Sequence, residues 1–575
     1  MKRYWKYIRP YIQYYILGPC FMMMEVVGDV LLPYMLAKII NQGIAERNVV
    51  YIIKIGAIMG FIAVIMAVGG VLGAWFASKA AMNFGADLRM DLFEKIQQFS
   101  FQNIDNFSTG SLITRLTNDI TQIQNMIMMT LRMCLRSPGI LIGAMVMAFV
   151  ISPKLAAIFI IVLPVLAVLI VVIMRRAFPQ FRTLQEKLDA LNSCIQEGLV
   201  GIRLIKSFVR GDYEEMRFEK RNQQLKEANL TAMKTMLLYT PLMTLALNIT
   251  TVVVVWSGGN MIVAGNMQVG DLTAFTNYIV QIMSSLTMLS IAFLNWARAI
   301  ASFRRVGEVL DEKIDLTDEN AKHKDRAVCE GSVEFQNVSF RYYKNSPEWV
   351  IENISFKLEA GKTLGIIGPT GSGKSTLVSM IPRLYDTDEG TVLVDGINVR
   401  DYGLKPLREG IGMVLQNNTL FSGSITENLK WGDEHADEKA VRKAAQNAQA
   451  AGFIDSFKDG YRTRLEQSGN NVSGGQKQRL CIARALLKCP KILILDDSTS
   501  AVDTATERAI REALHSEYKD MTKIIIAQRI RSVMDADEIL VLDNGKTAGF
   551  GTHEQLLADC PVYREIYDVQ NGREE

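Results

Sequence analysis

The sequence predicts a six-helix α transmembrane domain with long cytoplasmic helical extensions, fused to an α/β domain built on a P-loop. Three observations predict this. The part before residue 300 carries six apolar runs, each long enough for the roughly 20 residues that span a bilayer. The part after residue 330 alternates short β-branched runs with helical stretches, the pattern of a largely parallel sheet. One of those strand-to-helix turns reads Gly368-Pro369-Thr370-Gly371-Ser372-Gly373-Lys374-Ser375-Thr376. Composition agrees with a membrane half joined to a soluble half: 49% of the 575 residues are hydrophobic and 21% charged. Lys and Arg (63) nearly balance Asp and Glu (60), and the net charge of +3 argues against a nucleic-acid partner, which needs a basic face. Seven cysteines, none in a CxxC pair, exclude a disulfide scaffold and a zinc ribbon.

The N-terminus interleaves Lys2, Arg3, Lys6 and Arg9 with Tyr4, Trp5 and Tyr7, which suits a helix lying in the membrane interface. No cleavage site precedes the next apolar run, so a signal peptide is the weaker reading. The six runs centre on 12–40, 51–80, 127–151, 155–178, 236–260 and 272–297. Short turns join runs one and two, three and four, and five and six. The two other joins are long, charged and helically periodic, and are expected to continue the helices beyond the membrane. Segment 175–234 is rich in Lys and Arg, whereas loop 257–271 has none. The positive-inside rule therefore places the extensions and both termini in the cytoplasm. The transmembrane domain is drawn at 1–310, a polar linker at 311–330 and the second domain at 331–575, with strands expected at 332–340, 363–367, 391–394, 491–495 and 523–527.

Chemistry concentrates in the second domain. In a GxxxxGK[ST] loop the glycines let backbone N–H groups wrap phosphates, Lys374 reaches the β- and γ-phosphates, and the Ser375 hydroxyl is a Mg²⁺ ligand. Lys491-Ile-Leu-Ile-Leu-Asp496 is an apolar strand ending in a carboxylate aimed at Mg²⁺. Between them lies Ser473-Gly474-Gly475-Gln476, opening a helix. With these motifs in this order, the chain resembles an ATP-binding cassette (ABC) exporter half-transporter over essentially its whole length. The resemblance implies that Tyr342 stacks on adenine, that Gln416 is the Q-loop glutamine at Mg²⁺, and that Ser473 to Gln476 form the signature motif. Asp503 matches the D-loop. The stretches 109–119 and 201–208 resemble the two intracellular loops, whose short coupling helices dock on nucleotide-binding domains in this family.

Two departures matter more than the matches. After Asp496 the family has a glutamate that polarises the attacking water; here it is Asp497, one methylene shorter. Where the family has its switch histidine, this chain has Gln528, which donates a hydrogen bond but carries no charge. The stretch 463–469 also departs from the family pattern. Since family members pair two nucleotide-binding domains head to tail, the resemblance implies an own site that binds ATP and hydrolyses it slowly, and an intact signature serving a partner's ATP. It looks like the degenerate half of bacterial heterodimeric multidrug exporters, with a second ABC half-transporter as partner. A homodimeric lipid or peptide exporter and an ATP-gated channel or regulatory subunit are the rivals.

In the membrane half, Glu25 and Asp29 stand four apart in the first run, and Arg132 and Arg136 four apart near the third. Two readings stand open: interhelical ion pairs, or a carboxylate that attracts a cationic substrate. Gln281, Asn295, Trp296 and Asn248 are candidate cavity residues, and membrane lipid is an expected partner.

Overall fold

The computed structural model describes residues 2–344, 346–570 and 572. The chain divides into two compact units: residues 1–97 with 110–311, and Gln98–Thr109 with 312–575.

Among the described residues, five helices are long and apolar enough to cross a membrane: Trp5–Ile44, Val49–Gln97, Thr109–Ile151, Pro153–Val200 and Gly211–Val263. The sixth predicted run lies in a further helix, Val269–Asp311; the side chain of Asn295 there lies outside the described residues. Helices Ile12–Lys38 and Val49–Gln97 pack tightly because glycine lets their backbones meet. A Cβ on Gly73 would stand 2.6 Å from Met22 Cε and 3.1 Å from the Gly18 carbonyl. Tyr278 ties Val269–Asp311 to the first helix through a 2.7 Å bond to the Val30 carbonyl, and Phe159 stacks on Phe275.

In the same unit Asp119 is fully buried. Asp119 accepts from Ser302 Oγ and Arg305 Nε, each at 2.8 Å, while Arg115 donates to the Arg305 carbonyl and pairs with Glu308. A carboxylate out of water is tolerated only when its oxygens are engaged in this way.

The long joins are not unbroken helix. Helix Val49–Gln97 stops, and Ser100 opens a separate short helix, Phe101–Asp105, with a reciprocal capping box to Asn103. Thr109–Thr114 then starts the returning helix, so the short element lies ahead of the stretch 109–119. The second long join breaks at Gly201 and again before Gly211, leaving the short helix Ile202–Ser207 between them. The third run is itself interrupted between Met133 and Arg136, and the fifth at Leu238, just ahead of Pro241. A proline ring cannot donate to the helix it follows, which accounts for the last break.

The second unit holds two sheets. A six-stranded sheet runs Lys546–Gly551, Glu538–Asp543, Thr363–Ile367, Thr522–Ile526, Ile492–Asp496, Ile411–Val414, parallel throughout except at its Lys546–Gly551 edge. The expected strands at 332–340 and 391–394 do not join it. They pair antiparallel, with Ile351–Leu358, in a separate four-stranded sheet. Ile351–Leu358 alternates in burial, one face in and one out, as such a sheet requires, whereas Ile492–Asp496 is buried at every position as a central parallel strand must be.

Candidate functional site: a phosphate loop between three parallel strands

Strand order places the chemistry. Thr522–Ile526 lies between Thr363–Ile367 and Ile492–Asp496, with Ile526 level with Ile366 on one side and Asp496 on the other. The carboxyl ends of three adjacent parallel strands therefore deliver Gly368, Gln528 and Asp497 to one crevice, where open α/β sheets bind ligands.

The phosphate loop needs its glycines. Gly368, Gly371 and Gly373 all have positive φ, and a Cβ on Gly368 would stand 2.0 Å from the Leu542 carbonyl. Lys374 curls back over the loop, donating to the carbonyls of Gly368 (2.9 Å) and Pro369 (2.7 Å) and to Ser372 Oγ (3.4 Å). Burial pushes its ammonium pKa down, against the opposing charges of Asp497 and Asp496. Thr370 is exposed beside Gly371, while Thr376 turns inward, its Oγ1 at 2.8 Å from the Tyr342 hydroxyl. Tyr342 thus stands beside the phosphate loop, in edge contact with Phe340 and Tyr385.

The Ser375 hydroxyl donates to Asp496 Oδ1 at 2.9 Å. Asp496 is 4% exposed, and burial raises its carboxyl pKa against that hydrogen bond. Next to it, Asp497 has left the strand with φ +47 and its N–H bonded to the Ile526 carbonyl. Its Oδ2 accepts from Gln528 Nε2 at 2.8 Å. Burial raises its pKa too, while Gln528 and Gln416 oppose the shift by hydrogen bonding. The two residues that depart from the expected pattern therefore engage each other.

The signature residues fold apart from this crevice: among the described residues no hydrogen bond joins them to the phosphate loop. Ser473 caps helix Gly474–Leu487 in a capping box with Gln476. Gly474 is exposed, and a Cβ on Gly475 would stand 2.7 Å from the Ala501 carbonyl. Gln478, which no motif marks, clamps that approach by bonding Ser500 Oγ and the Ala501 N–H. Asp503 follows as the N-cap of Thr504–Glu517, accepting from the Thr506 N–H and hydroxyl. Those bonds hold its pKa below the usual carboxylate range.

Two further residues escaped the sequence. The Tyr385 hydroxyl donates to Asp105 at 2.9 Å and its ring lies 5.9 Å from that of Phe101. The short helix Phe101–Asp105 thus sits on the aromatic group that contains Tyr342. No motif marks a tyrosine in such a place. In the membrane unit Arg136, not Arg132, makes the ion pairs, to Glu25 (2.8 Å) and Asp29 (3.3 Å). Gln281 donates to the Asp29 carbonyl, Trp296 donates to Thr130 Oγ1, and Asn248 is exposed.

The comparisons fall on the same division. A family model described as ABC transporter transmembrane region matches residues 15–286, and one described as ABC transporter matches residues 351–500. The uncharacterized ABC transporter ATP-binding protein YfiB of Bacillus subtilis (strain 168) is 39% identical over 574 residues, covering 100% of this chain and 99% of its own length. YgaD of the same organism, provisionally named a multidrug export ATP-binding/permease protein, is 33% identical across 99% of each chain. A solved bacterial Atm1-family ABC exporter with ATP bound shares the fold, with TM-score 0.81, 24% identity and 98% of each chain covered.

Proposed function

This chain belongs to the ABC transporters, a multi-pass membrane protein fused to its own transport-ATPase domain, and from that premise we propose that it is the slow-site half of a heterodimeric exporter of hydrophobic or amphipathic compounds, some of them cationic. The observation that carries the reading is the Asp497–Gln528 pair. The phosphate loop, Asp496 and the signature keep the family pattern in sequence, while the base and the switch position depart from it. The multidrug-export name of YgaD supports the cargo class.

The residues fit MgATP. Ser375 Oγ and Asp496 converge as hard oxygen donors of the kind Mg²⁺ takes, with Gln416 exposed alongside. Lys374 already faces backbone oxygens and has no ion-pair partner among the described residues, so it is free to turn to phosphate. When bound, the metal supplies charge neutralisation on the β- and γ-phosphates. The chain's own part is to hold: Tyr342 the base, the glycine loop the phosphates, Ser375 and Asp496 the metal. Activating water falls to Asp497. Its carboxyl ends one C–C bond, about 1.5 Å, short of where a glutamate would reach, and Gln528 occupies one of its oxygens.

The intact signature, Ser473 to Gln476, makes no hydrogen bond to this chain's own phosphate loop among the described residues, and on this reading it serves the partner's ATP. ATP-driven closure of the paired domains would pass to the membrane helices through the short helices Phe101–Asp105 and Ile202–Ser207, with the nucleotide-binding domain and both termini cytoplasmic and Val269–Asp311 as the sixth span. The test is ATP hydrolysis by this chain alone in lipid nanodiscs, with oligomeric state recorded. Near-zero turnover is expected. Brisk turnover by a homodimer would overturn the slow-site assignment.

A further inference from the structure

Along helix Val49–Gln97 the only break in chemistry is the stretch between Lys54 and Lys79, which contains no charged residue. At 1.5 Å per residue those two lysines stand about 37 Å apart, so with a hydrocarbon core of about 30 Å each lies in a headgroup layer. Lys79 marks the layer on the side of the helical extension.

The same helix presents Phe61, Val64, Val68, Val71 and Trp75 to the exterior, all exposed. Their three- and four-residue steps make one stripe, and Lys79 continues it, one turn beyond Trp75. The stripe is thus an apolar track the length of an acyl chain, ending in a cation. At that end Lys79 Nζ stands 4.9 Å from the centres of both the Tyr14 and Trp75 rings. Tyr14 is fixed in turn by stacking on Phe76. The ring faces hold the ammonium electrostatically but accept few of its hydrogens.

What the cluster lacks is an acceptor. Among the described residues no carboxylate pairs with Lys79, and neither the Trp75 indole N–H nor the Tyr14 hydroxyl has a hydrogen-bond partner. The neighbouring acids are engaged elsewhere: Asp87 by Tyr11, and Asp91 by Lys6 and Tyr7. Three side chains in contact thus each carry a donor without an acceptor among the described residues, on an exposed face at headgroup depth.

We propose that Lys79, Trp75 and Tyr14 form a docking site for the phosphate of an anionic phospholipid, with its acyl chains along the Val64, Val68 and Val71 stripe. The charge complementarity selects the ligand: a zwitterionic lipid brings its own cation to compete with Lys79, whereas an anionic one does not. Trp75, with half its surface exposed, is the side chain of choice at such a boundary.

The test is native mass spectrometry of the full chain released from micelles containing equal dioleoyl phosphatidylglycerol and dioleoyl phosphatidylcholine. The wild type should retain phosphatidylglycerol in preference. Lys79→Gln should lower its retention about fivefold, the worth of one basic side chain at an anionic surface, while Lys79→Arg should keep it and Trp75→Phe should weaken it. Equal retention of both lipids by the wild type overturns the proposal without any variant. So does undiminished phosphatidylglycerol on Lys79→Gln, or its displacement by inorganic phosphate alone, which would mean that the acyl track contributes nothing.

Discussion

If Asp497 is too short and too tightly held to activate water, removing its charge should cost little and lengthening it should gain much. The backbone offers no compensation, because the Asp497 N–H is fixed to the Ile526 carbonyl at 3.1 Å and the residue sits at φ +47 at the strand end. The carboxyl is therefore withdrawn by about one C–C bond, 1.5 Å. A displacement of about 1 Å in a catalytic group costs on the order of a hundredfold, about 2.7 kcal/mol of barrier. Asp497→Asn should then change phosphate release by this chain in nanodiscs less than about threefold, since little base catalysis remains to lose. Asp497→Glu with Gln528→His should raise it by between about tenfold and a hundredfold, because the longer acid regains reach and loses the amide that occupies it. Adding Glu→Gln at 497 to that background should abolish the gain. A fall of tenfold or more in Asp497→Asn would refute the reasoning, since Asp497 would then be the working base.

The pH dependence follows the same logic: burial raises the Asp497 pKa, yet with so little base catalysis resting on it the residual turnover should change less than about threefold as that carboxyl protonates, and a steeper fall toward low pH would make Asp497 the working base. Gly475→Glu, whose Cβ alone would press to 2.7 Å on the Ala501 carbonyl, should damage the ATPase of the assembled dimer more than any change at Asp497; equal or milder damage would undo the assignment of the signature to the competent site. Arg136→Leu strands Glu25 and Asp29 without their common partner; losses of about 3–5 kcal/mol are usual for such a break and should appear as a lowered Tm, partly restored by Glu25→Gln. Tyr385→Phe removes only the hydroxyl bonded to Asp105; ATP affinity should hold within about threefold while nucleotide-dependent protection of amides 98–109 from hydrogen exchange is lost.

The parts legible in the sequence were those where one segment carries its own explanation. A glycine loop after a buried strand predicts its place because only that backbone wraps a phosphate, and Thr363–Ile367 is that strand. Apolar runs predict membrane helices because the bilayer sets their length. What stayed hidden depends on pairing between distant segments. Val333–Phe340 and Glu389–Val394 read as sheet members, yet nothing local says that they pair with each other, and Val333–Phe340 with Ile351–Leu358, and not with the parallel sheet. The break at Ser100 was missed because Asn103 is an uncommon capping-box partner, so the turn hid within a helical periodicity. Of the two arginines four apart, only packing decides that Arg136 and not Arg132 meets Glu25.

A slow ATP site is useful only if binding, without hydrolysis, changes something elsewhere in the chain. Tyr342 is fixed against the phosphate-loop helix by the Thr376 contact, so a base stacked on it loads a ring already in edge contact with Tyr385. Tyr385 in turn holds Asp105 through its hydroxyl and Phe101 through its ring. From the adenine position to the short helix Phe101–Asp105 there is one intervening side chain, and neither Asp497 nor Gln528 lies on that path. On the proposed slow-site reading, the two departures would impair the step that releases nucleotide while leaving intact the step that reports its presence. A half whose ATP is retained would keep its first coupling helix docked through successive turnovers of its partner, and the two halves of the exporter would then differ in mechanical role as well as in rate.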